Sequence, residues 1–123
     1  MAFQIVWSEV PVKDIERAQK FYEAAFGLAG NGIVDDGTRK SSTLLNTEGG
    51  AGLSLTQIAD FEPRDNGVLV YLMGQEPVED TLQKIESAGG KITTPKTSMG
   101  NDAGFYAIFQ DTEGNVLALY SME

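Results

Sequence analysis

The sequence predicts an α+β fold in which two tandem β-α-β-β-β modules form a curled mixed sheet, or cup, with the helices on its outer face. A repeated turn supports this: Asn46–Gly49 reads Asn-Thr-Glu-Gly, and Asp111–Gly114 reads Asp-Thr-Glu-Gly. Ahead of each turn, a strand-like run precedes a helical pattern that stops at a glycine, Gly27 in one copy and Gly89 in the other. Repeated units that each bury one face pack against each other, so a ligand can be enclosed between them.

The chain has 123 residues, a length that suits one domain with a substantial core. We expect a single domain with modules at about 1–58 and 67–123, joined by a connector at about 59–66. The connector contains Pro63 and small polar residues, which is typical of a loop.

In the first module, Gln4–Val10 is the first predicted strand, and Pro11 ends it because proline cannot donate to a strand ladder. Asp14 suits the N-cap of a helix that runs to Phe26, just before Gly27. Apolar residues at helical spacing predict that this helix is amphipathic: Ile15, Ala18, Phe21, Tyr22, Ala25 and Phe26. Three short strands follow, separated by turn residues: 29–35, 40–45 and 52–56.

The second module repeats this order of elements. Val68–Met73 is a nearly continuous apolar run, which is typical of a strand covered on both faces. A helix from Val78 to Ala88 follows Pro77, a residue tolerated in a first helical turn. Three strands complete the module: 91–93, 104–110 and 116–121. We expect residues 94–102 to form a loop, either an ordinary exposed connection or a lid over a site.

Composition excludes several classes of function. The net charge of −9 would repel a phosphate backbone, so nucleic acid is not an expected partner. The chain has no cysteine and no histidine, which excludes disulfides, thiolate chemistry and imidazole ligands. No apolar stretch is long enough to cross a membrane, and the N-terminus lacks the pattern of a signal peptide, so we expect a cytoplasmic protein with no membrane partner.

Three segments together resemble one family. They are Asp14–Gly27 (Asp-Ile-Glu-Arg-Ala-Gln-Lys-Phe-Tyr-Glu-Ala-Ala-Phe-Gly), Ala88–Ile92 (Ala-Gly-Gly-Lys-Ile) and Phe109–Leu119 (Phe-Gln-Asp-Thr-Glu-Gly-Asn-Val-Leu-Ala-Leu). In this order they resemble the vicinal oxygen chelate superfamily, which includes glyoxalase I, extradiol dioxygenases and bleomycin resistance proteins. Pro95–Thr97, followed by Gly104–Tyr106, is most similar to its small glyoxalase-like proteins. The resemblance implies the fold more specifically than the chemistry, because one fold hosts many functions.

The resemblance also implies where a metal ion would be bound in the metal-dependent members. Four side chains hold that ion, usually His, Glu or Gln, one from the first and one from the last strand of each module. These positions fall on Trp7, Val70 and Ala118, with Ser54 or alternatively Leu53 as the fourth. Trp, Val and Ala side chains cannot coordinate a cation. We therefore predict no metal and no cofactor.

The same positions define the predicted ligand-binding residues: Trp7, Glu9, Ser54, Val70, Ala118 and Tyr120. Strand alternation places Glu9 beside Trp7 and Tyr120 beside Ala118 on the cup side. Trp7 offers a large ring with one N–H donor, which suits a flat or partly apolar organic molecule. Two alternatives stay open: Glu9 is a solvated strand end, or Trp7 fills the space and leaves no pocket.

Three functions are compatible with these observations. The first is a metal-free small-molecule binding protein of the glyoxalase and bleomycin-resistance type, with its ligand held in the cup between the modules. The second is a glyoxalase-like lyase or dioxygenase-related enzyme that uses non-metal acid–base groups. The third is a non-catalytic dimeric interaction module with a filled cup. The resemblance implies a homodimer, and sheet edges that need covering support that expectation.

Overall fold

The computed structural model describes residues 3–28, 32–44, 49–74 and 77–123. The first module contains β1 (Trp7–Pro11), α1 (Ile15–Phe26), β2 (Ile33–Asp35), β3 (Lys40–Leu44) and β4 (Gly52–Gln57). The second contains β5 (Tyr71–Met73), α2 (Val78–Ser87), β6 (Lys91–Ser98), β7 (Phe105–Gln110) and β8 (Val116–Ser121). The predicted β-α-β-β-β repeat and the α+β fold class are therefore confirmed.

Each module contributes one four-stranded sheet with the same strand order. The first sheet runs β1-β4-β3-β2 and the second runs β5-β8-β7-β6. The pairs β1–β4 and β5–β8 are parallel, and the remaining pairs are antiparallel. β1 and β5 are thus equivalent edge strands. Among the described residues no helix has the length and hydrophobicity needed to cross a membrane.

Both edge strands are shorter than the sequence predicts. β1 begins at Trp7 instead of Gln4, and β5 begins at Tyr71 instead of Val68. The preceding residues are strongly exposed, at 99% for Phe3 and 92% for Val68. Their apolar character matched a strand, but within the described chain they are not part of either sheet's strand pairing, although the Val70 carbonyl accepts a hydrogen bond from the Ala118 backbone N–H.

The prediction of a loop at 94–102 is wrong for the first half of this segment. β6 continues to Ser98 and includes the Pro95–Thr97 segment, with register shifts against β7 at Thr94 and Thr97. Proline is tolerated here because β6 is the outer strand of its sheet and the pairing is irregular. The remaining turn is short, and Asn101 and Asp102 both adopt positive φ angles in it. Residues 58–70, which include the predicted connector, contain no helix or strand.

α1 begins and ends as its sequence predicts. The Asp14 side chain accepts a hydrogen bond from the Arg17 backbone N–H, and Gly27 ends the helix in the left-handed conformation, with φ of 66°. The helix buries the predicted apolar stripe: Ile15, Ala18, Phe21, Tyr22 and Ala25. This stripe packs on the first sheet and also reaches residues of the second sheet.

One hydrophobic core serves both modules. Apolar side chains of the first sheet, such as Leu53 and Leu55, pack with the α1 stripe and with Phe109 and Leu117 of the second sheet. The rings of Phe21 and Phe109 lie 6.2 Å apart between centroids. The helix-side faces of both sheets therefore contribute to the same core, and the opposite faces are the surfaces left for a ligand or a partner.

The carboxylate of Glu113, in the β7–β8 turn, connects the two modules. Its Oε1 accepts hydrogen bonds from the backbone N–H groups of Lys13 and Asp14, each at 2.8 Å. The Arg17 guanidinium donates to both oxygens, at 2.6 Å through Nε and 3.0 Å through Nη2. The Glu113 side chain is fully buried. Burial alone raises the pKa of Glu113, but the bonds from Arg17, Asp14, Lys13 and Thr112 outweigh it and hold the pKa below its ordinary value.

Asp111, at the start of the same turn, makes a second buried connection. Its Oδ2 accepts a hydrogen bond from the hydroxyl of Tyr22 on α1 at 2.7 Å, and its Oδ1 accepts the backbone N–H groups of Glu113 and Asn115. The Asn115 amide donates in turn to the Pro11 carbonyl at 2.7 Å. Burial raises the pKa of Asp111, although these hydrogen bonds oppose the shift. The repeated turn therefore joins its own module to the start of the other.

We predict that Glu113→Gln lowers the free energy of unfolding by about 2 kcal/mol at neutral pH, because hydrogen bonds to a charged group contribute about 1.5–3 kcal/mol each. The pKa of Glu113 is lowered in the folded protein. The stability that its carboxylate contributes is therefore complete above the ordinary pKa of 4.5 and is lost as the pH falls below that value. Urea unfolding at several pH values should show that the free energies of unfolding of Glu113→Gln and wild type become more similar in acid. Glu86→Gln, on the exposed side of α2, is the control, and an equal effect of both changes at neutral pH would contradict the prediction.

Candidate ligand-binding site

The face of the first sheet turned away from α1 carries three of the predicted site residues. We call this surface, formed by Trp7, Glu9, Ser54, Thr56 and Thr43, the first open face. Glu9 lies directly opposite Ser54 in the parallel β1–β4 pair, and paired residues share a face of the sheet. Leu53 belongs to the core instead. Ser54 and Leu53 were the alternatives for the family's fourth metal-ligand position, and Ser54 is the one that lies on the first open face.

The ring of Trp7 can lie against β4 because its neighbour there is a glycine, Gly52. A Cβ atom at Gly52 would be only 2.9 Å from Cζ3 of the indole, so the ring occupies the space that any side chain would need. The indole Nε1 donates a hydrogen bond to the Ser54 hydroxyl at 3.3 Å, and that hydroxyl is also 3.3 Å from the Thr43 hydroxyl. Trp7 is 41% exposed. The ring is thus held in one orientation while part of its surface stays available.

Glu9 has two partners and is not simply a solvated strand end. Its Oε1 accepts a hydrogen bond from the Thr56 hydroxyl at 2.9 Å and forms an ion pair with Nη1 of Arg39 at 3.3 Å. Arg39 comes from the turn between β2 and β3. The first open face therefore combines an aromatic surface, two hydroxyl groups near the ring and a paired carboxylate.

The corresponding surface of the second sheet is the second open face, formed by Ala118, Tyr120, Tyr71, Met73 and Tyr106. In the strand pairings Ala118 lies opposite Tyr71, and Tyr120 lies opposite both Met73 and Tyr106. Ala118 is fully buried, whereas Met73 is 68% exposed. The Tyr120 hydroxyl donates to the Ala103 carbonyl at 2.6 Å, so its hydrogen already has an acceptor.

Val70 does not lie on this face, contrary to the sequence-based placement. It packs against the shared hydrophobic core, and its carbonyl accepts a hydrogen bond from the Ala118 backbone N–H. Tyr71 occupies the position opposite Ala118 instead. The run Val68–Met73 is apolar at nearly every position, so it offers no alternation from which the inward and outward residues could be assigned. For the same reason Tyr71 and Met73 could not be assigned to this face from the sequence.

The two open faces are not joined by strand pairing in the chain. The strands of the described residues form two separate sheets, and β1 and β5 are not paired with each other. Trp7 and Ser54 are in direct contact, and so are Glu9 and Thr56. Ala118 and Tyr120 belong to the other sheet, and enclosure of a ligand between the two faces requires a further surface or a rearrangement.

The residues at the family's metal positions do not fit a metal ion. Trp7 and Ala118 offer no ligand atom in their side chains, and the Ser54 hydroxyl is already shared with Trp7 and Thr43. Neither Val70 nor Tyr71, which takes its place on the face, supplies a carboxylate or an imidazole. No group of three or more Asp or Glu residues within the described ranges is arranged to share an ion.

We predict that Gly52→Ala displaces the Trp7 ring, because the added methyl would lie 2.9 Å from it. Trp7 is the only tryptophan, so its fluorescence reports on this face alone. Loss of the Ser54 hydrogen bond and greater exposure to water should shift the emission to longer wavelength, with a stability loss of about 1 kcal/mol. Ser8→Ala, on the opposite side of β1, is the matched control. An unchanged spectrum in Gly52→Ala would contradict the described ring position.

Comparisons with known proteins agree with this architecture. A glyoxylase-like domain-containing protein from Didymella fabae is 26% identical over 124 residues, which cover 94% of this chain and 91% of that protein. A glyoxylase/bleomycin resistance protein/dioxygenase domain from Frankia sp. EAN1pec has a TM-score of 0.77 at 12% identity, with 98% of each chain covered.

Two further solved structures share the fold. One is the E126Q mutant of the fosfomycin resistance protein FosX from Listeria monocytogenes, complexed with Mn(II) and 1S,2S-dihydroxypropylphosphonic acid. It has a TM-score of 0.72 at 16% identity, with 98% of this chain and 90% of that chain covered. The other, the V278E mutant of glyoxalase I from Zea mays, has a TM-score of 0.74 at 22% identity, with 95% of this chain and 45% of that chain covered. The family model matches residues 4–119, and the chain belongs to the Glyoxalase/Bleomycin resistance protein/Dioxygenase superfamily.

Proposed function

We propose that this protein is a metal-free small-molecule binding protein of the glyoxalase and bleomycin-resistance type. The observation that carries the proposal is the Trp7 indole, which lies next to Gly52, donates to Ser54 and is still partly exposed. It lies at a position that the family resemblance assigns to a metal ligand. An aromatic platform there replaces coordination by stacking, which favours a flat and partly apolar organic ligand.

The FosX mutant from Listeria was solved with both Mn(II) and an organic phosphonic acid, so in that protein a metal and an organic ligand are bound together. In this chain the equivalent surface has no ligand set for a metal ion, because Trp7, Ser54 and Ala118 supply neither carboxylate nor imidazole. We therefore assign ligand recognition to ring stacking on Trp7, to the hydroxyls of Ser54 and Thr43, and to the tyrosines of the second open face.

Binding is favoured over lyase chemistry by the state of Glu9. An acid–base catalyst needs a group that is free to exchange a proton with the substrate. Glu9 is the carboxylate on the first open face, but it already accepts a hydrogen bond from Thr56 and is paired with Arg39. A filled, inert cup is disfavoured by the exposed part of Trp7, which leaves the ring surface accessible on its outer side.

We further propose that the protein is a homodimer in which each ligand site is completed by the partner subunit. Apolar side chains are exposed along or just before both edge strands, including Phe3, Ile5 and Val6 at β1, and Val68, Tyr71 and Met73 at β5. An exposed edge strand with apolar side chains needs a neighbour. Pairing β1 of one protomer with β5 of its partner covers these two edge strands in both chains in one closed two-fold arrangement.

This pairing would also bring together the surfaces that are separate in one chain. β1 carries Trp7 and Glu9, whereas β5 carries Tyr71 and Met73 opposite Ala118 and Tyr120. Joining the two edges would place the first open face of one protomer beside the second open face of its partner. The predicted ligand residues Trp7, Glu9, Ser54, Ala118 and Tyr120 would then share one concave surface, to which Tyr71 is added in place of Val70.

Ligand binding is tested by thermal-shift screening of the metal-stripped protein against flat aromatic acids, aromatic amines and divalent ions. We expect stabilisation by at least one aromatic compound, amounting to about 2.7 kcal/mol at a hundred times its Kd. The same compound should quench Trp7 fluorescence, and Trp7→Ala should abolish the stabilisation while Met99→Ala, at an exposed position outside both open faces, keeps it. Stabilisation by a divalent ion, reversed by a chelator and lost in Ser54→Ala, would contradict the metal-free site.

The dimer is tested by sedimentation equilibrium. We expect the wild-type chain to sediment as a dimer and Met73→Asp to sediment as a monomer, because a charge on β5 would be buried without a partner. Met99→Asp changes an exposed methionine in the β6–β7 turn and is the matched control, which should remain dimeric. A monomeric wild type, or a dimer unaffected by Met73→Asp, would contradict the proposed pairing.

A further inference from the structure

A groove lies at the end of the first sheet, next to the first open face, to which Arg39 connects it through the ion pair with Glu9. Its walls are the β2–β3 turn, the loop between β1 and α1, and the segment that follows β4. It has a volume of about 510 Å³, enough for a small organic molecule. Neither Trp7 nor any residue of the second open face lines it. The proposed ligand-binding surface therefore does not account for this groove.

The groove concentrates positive charge in a strongly acidic chain. Lys13, Arg39 and Lys40 line it, which is three of the nine Lys and Arg residues of a protein with net charge −9. Two carboxylates, Asp35 and Glu62, also line it. Among the described residues neither lysine ammonium forms a hydrogen bond or an ion pair. Within the described part of the chain, the ammonium groups of Lys13 and Lys40 are therefore not bonded to a carboxylate.

The walls of the groove are fixed by hydrogen bonds within the chain. In the β2–β3 turn, the Asp36 side chain accepts the backbone N–H groups of Thr38 and Arg39 at 2.9 and 2.8 Å, and these bonds lower the pKa of Asp36. On the other wall, the Gln57 side chain accepts the backbone N–H of Ile15 at 2.9 Å. A site with fixed walls loses less conformational entropy when a ligand binds.

The lining also contains apolar surface beside the cations. Phe61 and Ile58 follow β4 and line the groove together with the lysines. Both are partly buried, so each has one side packed on the protein and one side accessible. An aromatic or aliphatic group could rest on this surface while an anionic group meets the ammonium and guanidinium donors.

We propose that this groove is a second ligand site, specific for a small organic anion with an apolar body, such as an aromatic carboxylate. Lys13 and Lys40 attract the anion, and Arg39, whose Nη1 is paired with Glu9, adds its remaining guanidinium donors. Phe61 and Ile58 contact the apolar body. Asp35 does not cancel this attraction fully, because its Oδ1 already accepts the Gly37 backbone N–H at 2.9 Å.

The proposal is tested by NMR titration of the ¹⁵N-labelled full chain with benzoate, and separately with benzyl alcohol and inorganic phosphate. Benzoate should give saturable shifts of the amides at 37–40 and 58–62. Benzyl alcohol lacks the charge and phosphate lacks the apolar body, so both should bind at least tenfold more weakly. Equal binding of benzyl alcohol, equal binding of phosphate, or the absence of saturable benzoate shifts would overturn the proposal.

Variants separate a local site from general attraction to lysines. The double variant Lys13→Gln/Lys40→Gln should weaken benzoate binding at least tenfold. Lys20→Gln/Lys91→Gln changes the net charge equally at distant surface positions, and it should bind benzoate like wild type. Equal weakening by both pairs would overturn the site. Phe61→Ala should weaken benzoate but not phosphate. Trp7→Ala should leave the benzoate shifts of the amides at 37–40 and 58–62 unchanged, whether or not the Trp7 surface binds an aromatic acid.

Discussion

The buried carboxylate of Glu113 is the interaction on which the relation between the two modules depends. Its oxygens accept hydrogen bonds from two backbone N–H groups that precede α1 and from Nε and Nη2 of Arg17. All of these donors belong to the other module. A buried carboxylate is stable only when such donors surround it. Because the donors come from the end of β1 and the start of α1, the bond fixes the position of β8 relative to the first helix.

The consequences of this connection extend to the two surfaces proposed to bind a ligand. Once α1 is held against the β7–β8 turn, its apolar stripe reaches the core residues of both sheets, including Leu55 and Phe109. The helix-side faces then share a core, and the opposite faces carry partly exposed rings such as Trp7 and Tyr71 beside buried residues such as Thr56 and Ala118. The edge strands β1 and β5 remain unpaired with each other, each with exposed apolar residues.

The chain has the family fold, but the positions that the resemblance assigns to metal ligands carry other side chains, and Trp7 and Ala118 have no ligand atom in theirs. At Trp7 the local structure suits a large ring: the absence of a side chain at Gly52 leaves room for the indole, and Ser54 accepts its N–H. These three residues form a consistent set, since a Cβ at position 52 would lie 2.9 Å from the ring.

The sequence by itself determined the elements whose signals are local. The N-cap at Asp14, the stop at Gly27, the apolar stripe of α1 and the repeated turn each depend on residues close together in the chain, so the module order could be predicted. The absence of metal ligands at Trp7 and Ala118 could also be read directly, because residue type decides it. Alternation correctly placed Glu9 with Trp7, since β1 mixes polar and apolar residues.

The tertiary structure alone decided the features that depend on distant neighbours. Val68–Met73 is apolar throughout, so only its pairing with β8 could show that Tyr71 and not Val70 lies opposite Ala118. Strand length at 94–98 and at 68–70 depended on whether a neighbouring strand was present. The Lys13, Asp14 and Arg17 groups that bond Glu113 lie about a hundred positions away in sequence, as does the Pro11 carbonyl that accepts from Asn115. Sequence patterns record which face of an element is apolar, but contacts between distant residues depend on how the elements pack.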